Sequence, residues 1–222
     1  MKRYTHLVWD FNGTILDDVG YDVAITNRLL ARHGLPELAD ENAYREVFGF
    51  PVIDYYQKLG FDFSKTPFSV LADEWMNDYN EKKETAPIHK GVAELLRSIR
   101  AAKIPQILLS ATKAEMLSEQ LRALGISELF DEIIGADNHH AYGKADLARA
   151  WKRRNPGAIP LMIGDTDHDA ESAAAMGGDI ILLTCGHQSR KTLESVHPLA
   201  IYECAAEIPM ERYFPAFFPQ KD

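Results

Sequence analysis

Cysteine is scarce in this chain: two residues in 222, Cys185 and Cys204. Two thiols do not make the disulfide framework of a small secreted domain, and they lack the CxxC spacing of a zinc or redox site. The expectation is two part-buried free thiols in a reducing compartment. Positive charge is also short, with 24 Lys and Arg against 33 Asp and Glu, a net charge of −9. Binding nucleic acid through its phosphates needs a basic face, so that partner class is excluded as an expectation. No apolar run approaches the ~18 residues of a membrane span, so no membrane partner is expected. At the N-terminus, Trp9-Asp10-Phe11-Asn12 interrupts any secretory apolar segment, and the expected location is the cytoplasm. Glycine and proline show no period and no repeat is visible, which excludes collagen-like and low-complexity classes.

What remains is globular composition, 46% hydrophobic and 10% aromatic, enough to bury a sizeable core. The first apolar run, His6-Leu7-Val8-Trp9-Asp10-Phe11, reads as a buried strand ending in a polar turn. From Asp18 onward, apolar residues recur at helical spacing. Breaks at Gly34-Leu35-Pro36, at Phe48-Gly49-Phe50-Pro51 and between Gly60 and Pro67 divide that block into four helices. Beyond Pro87 the texture alternates. Helices predicted over 91–102, 114–124, 145–154 and 169–176 alternate with strands over 104–110, 132–134, 159–163 and 179–183, and a last apolar stretch covers 199–202. Such alternation predicts an α/β fold, a Rossmann-like parallel sheet with helices on both faces. Because the helical block separates the first strand from the others, the expected organisation is a core domain of residues 1–17 and 89–222 with an inserted four-helix cap domain, 18–88. The aromatic, proline-rich tail from Tyr213 to Pro219 is expected to pack back on the core, with a partner-binding tail as the alternative.

Ligands of open parallel sheets sit outside the carboxyl ends of the strands. The first strand ends at Asp10, the second at Ser110-Ala111-Thr112 and the fourth at Gly164-Asp165-Thr166-Asp167-His168-Asp169, while Lys144 starts the helix after the third. Acids, a hydroxyl and a lysine therefore meet at one edge. A strand-end carboxylate is a competent nucleophile toward phosphorus, forming an acyl phosphate. Carboxylates repel a phosphate, so a cation must lie between them, and Mg²⁺ takes hard oxygen ligands. Asp10 is the candidate nucleophile. Asp10 and Asp165 are candidate metal ligands, with Asp169 acting behind them or through water. Ser110 and Lys144 are candidates to hold phosphoryl oxygens, with backbone N–H groups around Gly13, Thr14 and Ala111 as an anion nest.

Asp10-Phe11-Asn12-Gly13-Thr14-Ile15 resembles the first motif of the haloacid dehalogenase superfamily, usually DxDGT. Ser110 resembles the second, Lys144 the third, and Gly164-Asp165 through Asp169 the fourth, GDxxxD. The block after the first motif is similar to the helical cap of the phosphoglycolate phosphatase-like and β-phosphoglucomutase-like branch. This resemblance implies a Mg²⁺-dependent phosphohydrolase working on a small phosphorylated metabolite through an aspartyl phosphate. It also implies that the Asn12 backbone carbonyl is a metal ligand. In the cap, Arg45 and the Phe48–Pro51 turn resemble the substrate-loop region, with Arg45 placed to meet a distal anionic group of the substrate.

One position departs from the motif. Where most phosphatases of the family carry the Asp that protonates the leaving alcohol and later activates water, this chain has Asn12. The alternative reading is therefore a weakly active or non-catalytic relative that binds a phosphate ligand. A phosphonatase reading would need a cap lysine, with Lys58, Lys65, Lys82 and Lys83 as candidates. The dehalogenase reading conflicts with acids suited to Mg²⁺. Replacement acids are sought in His139, His140 and His168. From sequence alone, Asn12→Asp is expected to raise turnover on alkyl phosphates.

Overall fold

The computed structural model describes residues 3–81, 86–136 and 143–218. Strand β1 (His6–Trp9) lies at the centre of a six-stranded sheet. It is followed by four consecutive helices, α1 (Val19–Arg32), α2 (Glu41–Val47), α3 (Val52–Lys58) and α4 (Phe68–Glu81). The alternating half comprises α5 (Val92–Ala101), β2 (Gln106–Lys113), α6 (Ala114–Ala123), β3 (Glu132–Ala136), α7 (Lys144–Arg154), β4 (Pro160–Gly164), α8 (Asp167–Ala175), β5 (Asp179–Leu183), α9 (Arg190–Ser195), β6 (Ala200–Tyr202) and α10 (Met210–Tyr213). The order across the sheet is β3-β2-β1-β4-β5-β6 and every pairing is parallel. Strand order reverses at β1, so the crevice where a ligand fits opens at its carboxyl end.

The period-2 pattern of each central strand supplies two cores. Leu7 and Trp9, Leu108, Leu161 and Ile163, and Ile181 and Leu183 face one cluster, together with Val92, Leu96, Ile99, Leu117 and Leu121 from α5 and α6. Val8, Ile107, Leu109, Met162, Ile180 and Leu182 face the other, against Ala148, Trp151, Ala173 and Leu193 from α7, α8 and α9 and Met176 at the end of α8. Burial on both faces explains why these strands read as near-continuous apolar runs. Tyr213 and Phe214 of the tail are buried in the first cluster, Phe214 beside Tyr4 with ring centroids 6.0 Å apart.

The four helices after β1 build a third cluster around Leu29, Leu30, Tyr44, Tyr55, Tyr56 and Leu71. The chain enters and leaves this block along neighbouring backbone. Leu16 and Ile88 form an antiparallel bridge, Asp17 N donates to the Pro87 carbonyl at 2.8 Å and His89 N to the Ile15 carbonyl at 2.9 Å. No helix among the described residues is long and apolar enough to cross a membrane.

Two differences from the sequence reading stand out. Strand β2 runs on past Ser110 to Lys113, with a register break between Leu109 and Lys113 that bends the strand end at the site. Helices α9 and α10, six and four residues long, were not anticipated. Neither is long enough to show a helical period.

Candidate active site

The carboxyl edge of the sheet gathers the acids that the sequence placed there. Asp10 follows β1 and donates its backbone N–H to the Ile163 carbonyl of β4 at 2.9 Å. Asp165 follows β4, and Asp169 lies in the first turn of α8, where it closes a capping box with Thr166. Asp169 Oδ2 accepts from Asp165 N at 3.0 Å, Thr166 N at 2.9 Å and Thr166 Oγ1 at 2.8 Å. Its other oxygen is left for Lys144. Carboxylate oxygens of Asp10, Asp165 and Asp169 all lie within 4.8 Å of one another.

Lys144, the first residue of α7, sends its ammonium between two of these acids. Nζ contacts Asp10 Oδ1 closely and Asp169 Oδ1 at 2.5 Å. Burial opposes charge on this lysine, but Asp10 and then Asp169 more than offset that and hold its pKa above the ordinary lysine value. Burial, and next the Asp169 charge, push the Asp10 carboxyl well above its usual range. Burial likewise raises Asp165. Three carboxylates against one ammonium leave an excess of hard, anionic oxygen donors. That donor set fits a small hard divalent cation.

The turn after Asp10 wraps Asp165. Thr14 Oγ1 donates to Asp165 Oδ1 at 2.9 Å, and His187 N donates to Oδ2 at 2.7 Å. Gly13 has φ +70°, and a Cβ there would strike Asp165 Oδ2, so both backbone conformation and space call for glycine. Gly186 is required by space in the same way. The Gly13 N–H, expected in an anion nest, donates to Asp18 Oδ1 at 2.7 Å. Ala111 is exposed at the strand end and Ser110 is buried.

Asn12 sits in a hydrogen-bonded line. Ser110 Oγ donates to Thr112 Oγ1 at 3.0 Å, Thr112 Oγ1 donates to Asn12 Oδ1 at 3.1 Å, and Asn12 Nδ2 donates to Asp18 Oδ2 at 2.6 Å. His187 Nε2 lies 3.3 Å from Asp18 Oδ1, and its Nδ1 lies 2.9 Å from Tyr44 Oη and 3.9 Å from Asp22 Oδ2. Burial works against charge on His187, but Asp18 first and then Asp165 and Asp22 raise it to about 10. Burial opposes ionisation of Asp18 too, yet His187 and the donors from Asn12 and Gly13 bring its pKa below the usual value. Burial pushes Asp22 up to about 7.

Asp18, Asp22, Tyr44 and His187 were missed by the sequence reading. A signal exists for one of them: Cys185-Gly186-His187 follows β5 at the same carboxyl edge of the sheet. The other three have no local signature, since they reach the site from α1, its N-terminal flank and α2.

Arg45 is placed differently from expectation. Its Nε donates to the Gly186 carbonyl at 2.7 Å and its Nη2 to the Cys185 carbonyl at 3.1 Å, with Glu41 Oε2 at 3.0 Å. The guanidinium is thus engaged in tying α2 to the loop after β5. The Phe48–Pro51 turn meets the same edge: Phe50 stacks on His168 at 3.9 Å and Phe48 packs 5.3 Å from His187. His168 contacts Phe50 and Glu171 rather than Asn12 or Asp10. Lys58 is exposed at the end of α3, and Lys65 is 82% exposed beside Asp62. His139, His140, Lys82 and Lys83 lie outside the described residues.

A sequence model of the haloacid dehalogenase-like hydrolase family matches residues 7–183. A phosphoglycolate phosphatase of Pseudomonas putida is 24% identical over 213 residues, covering 91% of this chain and 78% of the relative. The tyrosine-protein kinase PtkA of Mycobacterium tuberculosis is 27% identical over 188 residues, or 82% of this chain, and the chain spans 62% of that relative's length. Among solved structures, a haloacid dehalogenase-like hydrolase of Streptococcus pneumoniae superposes with a TM-score of 0.76 at 20% identity, over 96% of this chain and 98% of that one. That likeness bears on the fold. With the family match extending from β1 through β5, the chain belongs to the haloacid dehalogenase-like hydrolases.

Proposed function

We propose that this protein is a phosphatase of small phosphorylated metabolites, working through an aspartyl phosphate on Asp10 and dependent on Mg²⁺. The observation that carries the reading is the convergence of Asp10, Lys144, Asp165 and Asp169 at the carboxyl end of β1. The phosphoglycolate phosphatase relative supports the same chemistry. Asp10, Asp165 and the Asn12 backbone carbonyl would hold the ion, with Asp169 behind them. An ion held there would supply the positive charge that offsets the acids and an anionic phosphoryl group facing Asp10.

The chain's own groups do the rest. Lys144 holds the Asp10 side chain in place through Oδ1, which leaves Oδ2 to attack phosphorus. As the phosphoryl group transfers, the P–O bond to the leaving group breaks and an acyl phosphate forms on Asp10; water then cleaves that acyl phosphate and returns the carboxylate. Lys144 and Ser110 hold phosphoryl oxygens, with Gly13, Thr14 and Ala111 shaping the turn around them. The block 18–88 acts as a cap over a core of 1–17 and 89–222, and the paired backbone at Leu16 and Ile88 supports that division. Arg45 tethers the cap to the loop after β5, and Phe48 and Phe50 wall the entrance, which excludes water from the phosphoryl group.

No carboxylic acid occupies position 12, so leaving groups that need no proton, such as phenolates and carboxylates, are favoured over alkoxides. A panel of alkyl, aryl and acyl phosphates with and without Mg²⁺ tests the reading. Mg²⁺-dependent turnover, faster on aryl and acyl phosphates, is expected. Absence of turnover across the panel would favour the phosphate-binding, non-catalytic alternative that Asn12 keeps open.

A further inference from the structure

Asp18 lies outside every motif, yet it touches the one motif position that departs from the family pattern. It is 2% exposed, so water screens its charge little. Asn12 stands between Asp18 and Thr112, and the direction of its hydrogen bonds is fixed on both sides. The Thr112 hydroxyl donates to the amide oxygen at 3.1 Å, and the amide nitrogen donates to Asp18 Oδ2 at 2.6 Å. An amide satisfies both neighbours. A carboxylate at position 12 still accepts from Thr112 but has no N–H for Asp18, and it sets two buried carboxylates in hydrogen-bond contact, which repel. The second oxygen of Asp18 is committed as well, to Gly13 N at 2.7 Å and His187 Nε2 at 3.3 Å. Asp18 therefore has no room to turn away.

We propose that Asn12 and Asp18 are a matched amide–carboxylate pair, in which Asp18 is the positioning residue that aims the Asn12 side chain and the Gly13 N–H of the nucleophile turn and bars a carboxylate from position 12. Asn12 is then the residue its neighbour demands. The expectation that Asn12→Asp alone raises turnover is revised: the single change creates the repulsion. Changing both residues, Asn12→Asp with Asp18→Asn, preserves the hydrogen bonds with the roles exchanged and moves the negative charge from position 18 to position 12, so the His187–Asp18 ion pair becomes a hydrogen bond. The carboxylate at 12 accepts from Thr112 and from the new amide nitrogen at 18. The amide oxygen at 18 accepts from Gly13 N and His187 Nε2. The exchange also places a carboxyl where a leaving alcohol can draw on it.

The kinetic half of this proposal rests on the phosphatase reading; the pairing itself rests on packing alone. Four proteins test it: wild type, Asn12→Asp, Asp18→Asn, and the double variant. Thermal unfolding without Mg²⁺ measures the pairing. Each single variant is expected to melt lower than wild type, and the double variant to regain most of the loss, a non-additivity expected of groups in contact. Steady-state rates on paired alkyl and aryl phosphates with Mg²⁺ measure the consequence. Asn12→Asp is expected to gain less than about twofold in kcat on alkyl phosphates, and the double variant about tenfold or more, with KM changed little and the aryl preference reduced. A purely structural pair would not move that preference.

Additive melting losses overturn the pairing, whatever the rates. A single Asn12→Asp variant as fast on alkyl phosphates as the double overturns the claim that Asp18 bars the carboxylate. Non-additive melting with no turnover in any of the four proteins upholds the pair and removes the phosphatase reading instead.

Discussion

Lys144→Met removes the ammonium between Asp10 and Asp169 and keeps the apolar stem. The lysine side chain is 9% exposed and the two acids 10% and 1%, so solvent does little to replace the lost charge. Removing one partner of a buried ion pair costs about 3–5 kcal/mol. The lower end applies here, because the carboxyls can take up a proton once the ammonium is gone. The pH dependence follows from Asp10, whose pKa is already raised by burial and Asp169 against the pull of Lys144. Losing that pull raises it further. A carboxyl whose folded pKa exceeds its unfolded value contributes stability below the unfolded value, about 4, and loses it as pH climbs through the folded one. The gap between variant and wild type should thus widen with pH. The expected loss is about 3 kcal/mol near pH 8, or about 6–12 °C in Tm for a chain of this size, shrinking to about 1 kcal/mol near pH 4.5. Excess Mg²⁺ should narrow the gap near pH 8 by restoring positive charge. Unfolding scans at several pH values, with and without Mg²⁺, read all of this. A loss that is constant across pH, or no loss at all, would refute the buried-pair reasoning.

Three further outcomes follow from the same geometry. Asp165→Ala should weaken Mg²⁺ binding at least about tenfold, or 1.4 kcal/mol, by calorimetric titration; unchanged binding would remove Asp165 from the ligand set. Gly13→Ala combines a positive φ with a collision against Asp165 Oδ2 and should cost about 3 kcal/mol in denaturant unfolding, with loss of Mg²⁺ binding. Arg45→Met frees α2 from the carbonyls of Cys185 and Gly186; KM is expected to rise about three- to tenfold with kcat changed less than about threefold, alongside faster hydrogen exchange in α2. An unchanged KM would deny the cap tether.

Much of this architecture was legible because the physics behind it is local. Short runs such as Leu161-Met162-Ile163, each bounded by a helical stretch, read as strands buried on both faces, and the glycine and proline breaks after His33, Phe48 and Leu59 ended the helices that follow β1 where expected. Asp10, Lys144, Asp165 and Asp169 could be placed because strand-end residues of a parallel sheet share one edge. The surroundings of Asn12 could not. Asp18 reads as a helix-flanking acid, His187 lies 175 residues after Asn12, and Tyr44 reads as one more apolar position of a cap helix. Their meeting depends on how the helices after β1 settle on the sheet edge, which no local pattern encodes. Arg45 belongs with them: the resemblance to the substrate-loop region points it at a substrate anion, while its partners in the structure are backbone carbonyls of the loop after β5, which no local pattern names.

The central claim is that Asp10 carries the phosphoryl group. The most direct measurement is rapid acid quenching of wild-type protein turning over an aryl phosphate with Mg²⁺, followed by peptide mass spectrometry. One phosphoryl group is expected on the peptide containing Asp10, absent without Mg²⁺ and absent in Asp10→Asn, whose fold should stay intact. Mg²⁺-dependent turnover with no phosphoryl group on that peptide, or undiminished turnover in Asp10→Asn, would contradict it.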